Sequence, residues 1–387
     1  MPDITAPSDV LKPLATARGL PNAHYISDAT FEAEREKVLF ANWAAIGFAG
    51  DLAPGEAMPV DFVGQPLVAL RTREGAVKVF QNTCRHRGMI LVAEKKQVGG
   101  VIRCPYHSWS YALTGELVAT PHVGGPGHNI HAEIKRDELG LFEIRSHVWR
   151  DIIFVNIDGQ APDFMDYAAD VITRWSEFED RPLIPGGPES GFSFDVACNW
   201  KLAVENYCES YHLPWVHPGL NSYSRLEDHY NIEAPGRFSG QGTLVYRPMI
   251  TGDGRRFPDF DGLGAKWEAG AEYLALYPNV LLGTHRDHAF AIILEPKAKD
   301  RTVEHVAIYY ASEDAASGAD WAPMRQRNAK MWYDVFEEDL FVVEGMQRGR
   351  HAAYFDGGKF SPAMDGPTHC FHRWVASCMV PAELAAE

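Results

Sequence analysis

Four side chains in the first third of the 387-residue chain are of types that bind transition metals. They are Cys84 and His86 and, after 17 intervening residues, Cys104 and His107. Cysteine thiolates combined with imidazoles suit either zinc or an iron–sulfur centre. Each of the two short segments offers one ligand of each kind. The residue types therefore indicate a metal site, and their arrangement must decide which metal it is.

The distribution of the four ligands favours iron and sulfide over zinc. Zinc fingers group their cysteines as C-x2-C and their histidines as H-x3-5-H, and these four ligands follow neither spacing. In a Rieske [2Fe–2S] centre two cysteines bind one iron and two histidines bind the other, so two loops with one of each are required. Gly88, Pro105 and Gly115 supply turns that bring backbone N–H groups toward the sulfides. The sequence predicts a Rieske cluster.

A second group of candidate ligands follows near residue 210. His212 and His217 lie five positions apart, with Glu205 and Glu209 just before them. Two histidines on or at the end of a helix, joined by one carboxylate, form a triad that leaves positions on Fe(II) open for dioxygen and substrate. The alternative is a pair of ordinary helix-end histidines. The upstream cluster favours the metal, because a one-electron relay needs an acceptor.

The first part of the chain is predicted to be a helix followed by a β-rich domain. Residues 28–42 combine an N-capping Asp28 with an apolar stripe of helical period. After Trp43, short β-like runs at 66–71, 77–80 and 151–157 are separated by glycine and proline. Both cluster loops fall in this β-rich stretch, which we expect to form an all-β domain.

The second part predicts a mixed domain. Beyond a Pro- and Gly-rich transition at 181–188 come a helix near 200–213, several strands between 240 and 311, and a periodic helix from about 321 to 350. This order of elements predicts an antiparallel sheet with helices packed on it, so the chain as a whole is assigned to the α+β class.

Composition excludes several partners. The net charge of −16 argues against nucleic acid and anionic membranes. There is no secretory signal pattern and no apolar run of about 20 residues that could span a membrane. No G-x-G-x-x-G turn for flavin or nicotinamide is found in a βαβ context. Four cysteines lie outside the cluster: Cys198, Cys208, Cys370 and Cys378. Their spacing is not typical of a disulfide framework, which predicts reduced thiols and a cytoplasmic protein.

From Trp43 to about Gly349 the chain resembles the α subunits of Rieske non-haem iron oxygenases. The resemblance rests on C-x-H-x17-C-x2-H, on Asn-Trp-Lys at 199–201, and on a carboxylate three residues before the first histidine of H-x4-H. It implies a [2Fe–2S] cluster, a mononuclear Fe(II) and a catalytic domain of helix-grip, Bet v 1-like fold. The implied organisation is an N-terminal segment at 1–42 packing with the catalytic domain, a Rieske domain at 43–158 and the catalytic domain at 159–387.

The resemblance also assigns roles to residues. With His212 and His217, the third iron ligand would be an aspartate on the late helix, which the pattern places at Asp339; Glu338 and Asp334 compete for the role on geometry alone. Asn206 and Glu209 are the candidate catalytic residues.

Glu209 has a specific implied role. Family members are usually homotrimers, and a carboxylate there would join the partner subunit's His107 to His212 across the interface, because a carboxylate can accept an N–H from each imidazole. The alternative is that Glu209 only orients His212 within its own subunit. Most members have aspartate at this place, and glutamate is similar to the carnitine-oxygenase branch, near the choline and glycine betaine oxygenases.

Three functions are compared. The first is a monooxygenase that uses dioxygen to oxidise an N-methyl group of a quaternary ammonium substrate, with release of formaldehyde. The second is an aromatic-ring oxygenase or O-demethylase, and the third is an electron carrier. The oxygenases need an NAD(P)H-dependent reductase with flavin and an iron–sulfur centre.

A quaternary ammonium would be recognised by aromatic faces. If the substrate also carries a carboxylate, Arg286 or His285 could receive it. We expect two or three residues of the aromatic candidates to line the pocket; the candidates are Tyr207, Trp215, Tyr223, Tyr230, Tyr246, Trp267, Tyr273, Tyr277 and Phe290.

Overall fold

The computed structural model describes residues 9–234, 236–248, 250 and 254–380. The chain divides into two compact units, one formed by Ala45–Gln160 and the other by the residues up to Ala44 together with those from Ala161 onward. Among the helices in these described ranges, none is long and apolar enough to cross a membrane.

The Ala45–Gln160 unit is built almost entirely of β-strands. One sheet has the order β1-β10-β9-β4-β3-β2-β5, with antiparallel pairing from β10 through β5, and a smaller antiparallel sheet has the order β6-β7-β8. The strands are β1 (Ala44–Phe48), β2 (Glu56–Phe62), β3 (Gln65–Arg71), β4 (Val77–Gln81), β5 (Lys96–Gln97), β6 (Val101–Arg103), β7 (Ser110–Ala112), β8 (Leu117–Ala119), β9 (Glu143–Trp149) and β10 (Ile152–Asn156).

The core of this unit encloses both candidate cluster cysteines. Cys84 and Cys104 are buried with apolar side chains from both sheets, among them Val68, Phe80 and Ile102. Each cysteine sits in a loop just beyond a strand, Cys84 after β4 and Cys104 after β6. The two sheets therefore hold the start of each loop in place, and the histidines lie two or three residues further along it.

The second unit contains one antiparallel sheet with helices packed against it. Its order is β11-β18-β17-β16-β15-β14-β13, and β12 also pairs with β18. This confirms the predicted α+β class. The strands are β11 (Ile184–Pro185), β12 (Gly191–Val196), β13 (His229–Ala234), β14 (Phe238–Thr243), β15 (Ala271–Leu276), β16 (Val280–Thr284), β17 (His288–Ala298) and β18 (Arg301–Tyr310).

Helices of this unit carry the second group of candidate ligands. In the described part of the chain they are α1 (Ala23–Ile26), α2 (Asp28–Glu34), α3 (Phe164–Tyr167), α4 (Ala169–Arg174), α5 (Ser176–Glu179), α6 (Trp200–Cys208), α7 (Leu213–Val216), α8 (Pro218–Asn221), α9 (Glu313–Ser317), α10 (Ala322–Gly349) and α11 (Gly366–Met379). The helix expected at 28–42 is α2 continued by a π-helical turn, Arg35–Phe40. The helix expected near 200–213 ends five residues early, at Cys208.

Buried ion pairs hold α6 in place. Lys201 Nζ lies 2.6 Å from a carboxylate oxygen of Glu34 on α2, and Glu205 lies 3.4 Å from the guanidinium of Arg350 just beyond α10. Burial alone would raise the pKa of Glu205, but the positive charges of His372 and Arg350 hold it below its ordinary value. Removing one partner of such a pair leaves a buried charge uncompensated. The helix that leads into the second site is thus tied to three other helical segments.

Candidate functional site: two sets of metal ligands

The two cluster loops have the same backbone hydrogen bonds. In each, the N–H of the residue four positions after the cysteine donates to the cysteine carbonyl, from Gly88 to Cys84 at 2.9 Å and from Ser108 to Cys104 at 3.0 Å. Each cysteine N–H donates in turn to the carbonyl five positions on, at 2.8 Å. Gly88 and Ser108 both have positive φ, +70° and +56°. Only glycine takes that conformation without strain, so the serine marks a turn imposed by its surroundings.

The four side chains of these loops fit a [2Fe–2S] cluster. The rings of His86 and His107 lie 4.7 Å apart, and Nδ1 of His107 is buried without a hydrogen-bond partner in the described residues. Both thiols are free, and burial raises the pKa of Cys104. Buried polar atoms normally have a partner, so a buried imidazole nitrogen that meets no protein donor or acceptor is suited to bind a metal.

Tyr111 is a neighbour of the cluster loops that the sequence did not single out. Its hydroxyl oxygen lies 3.3 Å from Cys84 Sγ and accepts the backbone N–H of Arg85 at 3.0 Å. Burial raises the pKa of Tyr111, so the hydroxyl keeps its proton and can donate to the sulfur. Hydrogen bonds to cluster sulfurs raise reduction potential. No local sequence pattern identifies this contact, because it joins residues 27 positions apart.

The second site begins where α6 stops. Glu209 has extended backbone angles, φ −123° and ψ 160°, and so ends the helix at Cys208. The four-residue helix α7 then begins at Leu213, with His212 as its N-cap and His217 as its C-cap. Proline at the start of α7 and again at the start of α8 keeps these turns from merging into one helix. The two histidines therefore stand at opposite ends of a single short turn.

His212 and His217 meet Asp339 from α10. Nε2 of His217 lies 3.1 Å and Nε2 of His212 lies 3.7 Å from the same carboxylate oxygen of Asp339. One ligand atom from each of the three residues lies within 4.8 Å of the others. Asn206, on α6, donates from its amide to that oxygen at 3.1 Å. The structure thus brings together three of the residues singled out from sequence, and Asn206 orients the carboxylate among them.

A carboxylate holds the outer nitrogen of each histidine. Nδ1 of His212 lies 2.6 Å from Glu209, and Nδ1 of His217 lies 2.7 Å from Glu338. A carboxylate can only accept a hydrogen bond, so each Nδ1 carries the hydrogen. Each Nε2 is then left with a lone pair, and both lone pairs are available to a metal ion bound between the two histidines and Asp339. The two Nε2 atoms are therefore arranged as metal ligands.

Three other acidic residues, Asp334 and Glu338 on α10 and Glu209 just after α6, lie away from the point where the two Nε2 atoms meet. Asp334 is five positions before Asp339, about 140° around the helix, and its carboxylate pairs with Lys330 at 2.8 Å. Glu338 is on the far side of His217 from the common point, at Nδ1. Glu209 contacts His212 and also accepts the backbone N–H groups of Tyr211 and His212. Both its oxygens have partners within the chain.

Glu304 on β18 is a further buried acid that the sequence did not identify. Its side chain is largely buried, and burial, reinforced by the negative charge of Asp339, raises the pKa of Glu304 to about 7. A carboxyl group with that pKa exchanges its proton near neutral pH. From Thr302 to Ile308 the strand alternates between buried and half-buried positions, and a glutamate at one of the buried positions was the signal available in the sequence.

An aromatic cluster lies beside the triad. Trp332 and Phe336 on α10 stack with centroids 5.6 Å apart, and Phe336 is three residues before Asp339. Tyr246 stacks on Trp332 at 6.1 Å, and Phe290 packs on it at 4.6 Å. Of the nine aromatic candidates, five belong to this neighbourhood: Tyr207, Tyr223, Tyr246, Tyr273 and Phe290.

The other four aromatic candidates have different surroundings. Trp215 is 70% exposed. Tyr230 and Trp267 donate to carboxylates of Glu272 and Glu177, and Tyr277 packs against α11.

Two histidines pack within the aromatic cluster. His288 donates from Nδ1 to Asp287 at 2.7 Å and accepts from the indole of Trp332 at 2.9 Å. His285 stacks on it at 4.3 Å, and burial, together with His288, holds the pKa of His285 well below its usual range. Arg286 is occupied by Asp259 and by the carbonyl of Glu268. Of the two residues suggested to receive a substrate carboxylate, Arg286 is therefore already paired.

Comparison with known proteins identifies the two units. The model of the Rieske [2Fe–2S] domain matches residues 42–133. The model of the ring hydroxylating alpha subunit (catalytic domain) matches residues 147–380, more than half of the chain. The chain belongs to this family. It is therefore an oxidoreductase, and the family's two cofactors, a Rieske cluster and a mononuclear iron, are those that the two donor sets fit.

Individual relatives cover most of the chain. The carnitine monooxygenase oxygenase subunit of Escherichia coli (strain K12) is 26% identical over 365 residues, which is 92% of this chain and 90% of the relative. The chloroplastic choline monooxygenase of Arabidopsis thaliana is 25% identical, covering 93% of this chain and 82% of the relative. The crystal structure of a quaternary ammonium Rieske monooxygenase with L-carnitine superimposes with a TM-score of 0.75 at 22% identity, covering 97% and 99%. The predicted fold, a Rieske domain and a helix-grip catalytic domain, is confirmed.

Replacing Glu338 by alanine tests the partner of His217. The change removes the acceptor at Nδ1, which leaves the imidazole free to rotate or to adopt the wrong tautomer. Loss of such an outer partner typically weakens metal binding about 10–100-fold, so we expect a fall of that size in the affinity of the mononuclear site for Fe(II). The measurement is retention of iron during dialysis against graded chelator. Glu337→Ala is the control, because Glu337 is exposed and its carboxylate accepts a hydrogen bond from the Tyr333 hydroxyl rather than from a histidine. Equal iron retention in the two variants would contradict the role.

Proposed function

We propose that the chain is the oxygenase component of a system that oxidises an N-methyl group of a quaternary ammonium compound. The observation that carries the proposal is the convergence of His212, His217 and Asp339 in a chain that also holds a Rieske domain. When bound, Fe(II) in a 2-His-1-carboxylate site supplies the capacity to activate dioxygen, with electrons arriving through the cluster. Asn206, Glu209 and Glu338 would orient the three ligands.

The surroundings of the triad support a cationic substrate. Quaternary ammonium groups offer no N–H, so they are held by aromatic faces and by nearby negative charge. The aromatic cluster supplies the faces, and the histidine within it stays uncharged, since the pKa of His285 is held low. Relatives along nearly the whole length of the chain are named carnitine and choline monooxygenases. Both names refer to compounds with a trimethylammonium group.

The proposed reaction balances with two electrons. An N-methyl group, dioxygen, two electrons and two protons give an N-hydroxymethyl group and water. Where the nitrogen was quaternary, the C–N bond then breaks, its electron pair stays on nitrogen, the hydroxyl proton is released, and formaldehyde leaves. Hydroxylation without loss of the carbon is the other outcome within the same proposal. The electrons would come from an NAD(P)H-dependent reductase that carries flavin and an iron–sulfur centre.

The proposal includes an assembly. We infer a homotrimer in which Glu209 joins the partner subunit's His107 to His212, since the two centres must exchange electrons and Glu209 already accepts from His212. The domain boundaries stay as proposed, at 1–42, 43–158 and 159–387. The compartment proposed is the cytoplasm, which agrees with the six free cysteines.

Oxygen uptake with a surrogate reductase tests the function. A panel would contain choline and trimethylammonium carboxylates, simple aromatic hydrocarbons and aryl methyl ethers. The sharpest control replaces the trimethylammonium group by tert-butyl, which keeps the shape and removes the charge. We expect uptake with formaldehyde release from the quaternary compounds and none from their tert-butyl isosteres. Uptake supported only by the aromatic compounds would identify a ring oxygenase or O-demethylase instead.

A further inference from the structure

The indole of Trp332 belongs to a buried chain of hydrogen bonds. Its N–H donates to Nε2 of His288 at 2.9 Å, and Nδ1 of His288 donates to a carboxylate oxygen of Asp287 at 2.7 Å. Trp332 and His288 are at most 1% exposed, and Asp287 is 7% exposed. Since an indole N–H can only donate, Nε2 of His288 carries no hydrogen and can receive one. The charge of the resulting imidazolium would be balanced by Asp287, as a buried charge requires.

Trp332 also lies close to the candidate iron ligand Asp339 along α10. Seven positions separate the two residues, which is about two helical turns, so both project from the same face of the helix about 10 Å apart along its axis. Phe336 lies between them and stacks on Trp332, with ring centroids 5.6 Å apart. Indole is among the most readily oxidised side chains. A potential electron donor is therefore close to the site at which dioxygen would be activated.

Three tyrosines of the same aromatic cluster have no comparable proton acceptor. The hydroxyls of Tyr207 and Tyr246 are buried and meet no hydrogen-bond partner among the described residues. The hydroxyl of Tyr273 lies 3.1 Å from Nε2 of His285, but burial holds the pKa of His285 well below its usual range, so this imidazole is a poor base. Burial also raises the pKa of all three tyrosines. Compared with them, Trp332 is the residue best placed to lose an electron together with a proton.

We propose that Trp332 is a reserve electron donor to the mononuclear iron site, with His288 as its proton acceptor. When the oxidant formed there from dioxygen meets no substrate, the indole gives up one electron and its N–H proton moves to Nε2 of His288. The products are a neutral tryptophan radical, an imidazolium paired with Asp287, and an oxidant reduced by one electron. An electron delivered through the cluster, with return of the proton, restores the indole. The side chains around the iron are thereby protected from oxidation, whichever substrate the enzyme accepts.

Rapid-freeze electron paramagnetic resonance in the absence of substrate tests the proposal. The holoenzyme, with ferrous iron and an oxidised cluster, is mixed with hydrogen peroxide and frozen at once. We expect a radical signal that changes shape when the protein carries ring-deuterated tryptophan and stays the same with ring-deuterated tyrosine. The signal should be lost in Trp332→Phe and kept in the control Trp267→Phe, which removes another buried tryptophan, one that donates to Glu177. A tyrosine radical, no radical in the wild type, or an undiminished signal in Trp332→Phe would overturn the proposal.

Replacing His288 by glutamine separates proton transfer from a purely structural role. The amide oxygen of glutamine can accept the indole N–H, but an amide does not take up its proton. We expect His288→Gln to keep its cluster and iron, to lose the radical, and to gain more oxidised residues for each hydrogen peroxide consumed, as peptide mass spectrometry measures. Asp339→Ala should also give no radical, because the oxidant forms at the iron. An undiminished radical in either variant would overturn the proposal, and so would equal oxidation of His288→Gln and the wild type.

Discussion

Replacing Asp339 by alanine is expected to empty the mononuclear iron site and to lower turnover more than about 100-fold. Asp339 supplies the only carboxylate oxygen that both Nε2 atoms approach in the described residues, at 3.1 and 3.7 Å. Losing an outer partner of a metal ligand already weakens a site about 10–100-fold, and losing a ligand itself costs more. The visible spectrum of the Rieske cluster should be unchanged, because its four ligands lie in the other unit.

The control for Asp339 is Asp334→Ala on the same helix. Asp334 faces away from the triad and pairs with Lys330. Iron content and oxygen uptake of this variant should equal those of the wild type, while Asp339→Ala retains the cluster and loses the mononuclear iron. Full iron retention in Asp339→Ala would move the ligand to a neighbouring carboxylate, and Glu338 would be the first to test.

Replacing Glu209 by glutamine is expected to slow reoxidation of the reduced cluster by substrate and dioxygen by about 100-fold or more, with both metal centres still loaded. In glutamine an NH2 group replaces one carboxylate oxygen, and because this group only donates, it cannot accept the N–H of an imidazole on that side. A glutamine therefore keeps one of the two bonds that the proposed bridge requires. The rate is measured by stopped-flow bleaching of the cluster after chemical reduction.

The same variant separates the bridge from a role inside one subunit. Glu209 also accepts backbone N–H groups of Tyr211 and His212, so its loss could instead loosen His212. Lower iron content in Glu209→Gln would indicate that the residue only positions His212. Undiminished reoxidation would remove the bridging role. Glu227→Gln, an exposed glutamate nearby in sequence, is the matched control, and Glu209→Asp should restore transfer if either carboxylate suffices.

Much of the first site was predictable because its information is local. Cys84/His86 and Cys104/His107 occur in two short loops, and spacing alone distinguished the cluster from zinc. The repeated turn geometry could not be read from the residues, since Gly88 suggests a positive φ and Ser108 does not. Burial of the two cysteines is imposed by the sheets around them.

The second site was predictable only in part. His212 and His217 are close in sequence, but their carboxylate partner is more than 120 residues away. To choose among Asp334, Glu338 and Asp339 one must know which face of α10 points toward the histidines that flank α7. Tertiary packing determines that orientation, and the sequence alone does not show it. The early end of α6 depends on the extended backbone at Glu209, since nothing before it is a strong helix breaker. A prediction based on helix propensity therefore placed the end of α6 five residues too late, near residue 213.

Ion pairs between residues distant in sequence also determine which polar residues around the aromatic cluster are available to a substrate. Arg286 was a reasonable acceptor for a substrate carboxylate until its pairing with Asp259, 27 positions away, became visible.

Single turnover of the pre-reduced enzyme tests the central claim most directly. Two electrons are needed for each N-methyl oxidation, and the reduced cluster and ferrous ion of one site hold one each. Enzyme reduced, freed of reductant and mixed with dioxygen and a trimethylammonium carboxylate should therefore yield up to one formaldehyde per mononuclear iron. Reoxidation of the cluster without formaldehyde for any quaternary ammonium compound, but with a hydroxylated product from an aromatic hydrocarbon, would contradict the account.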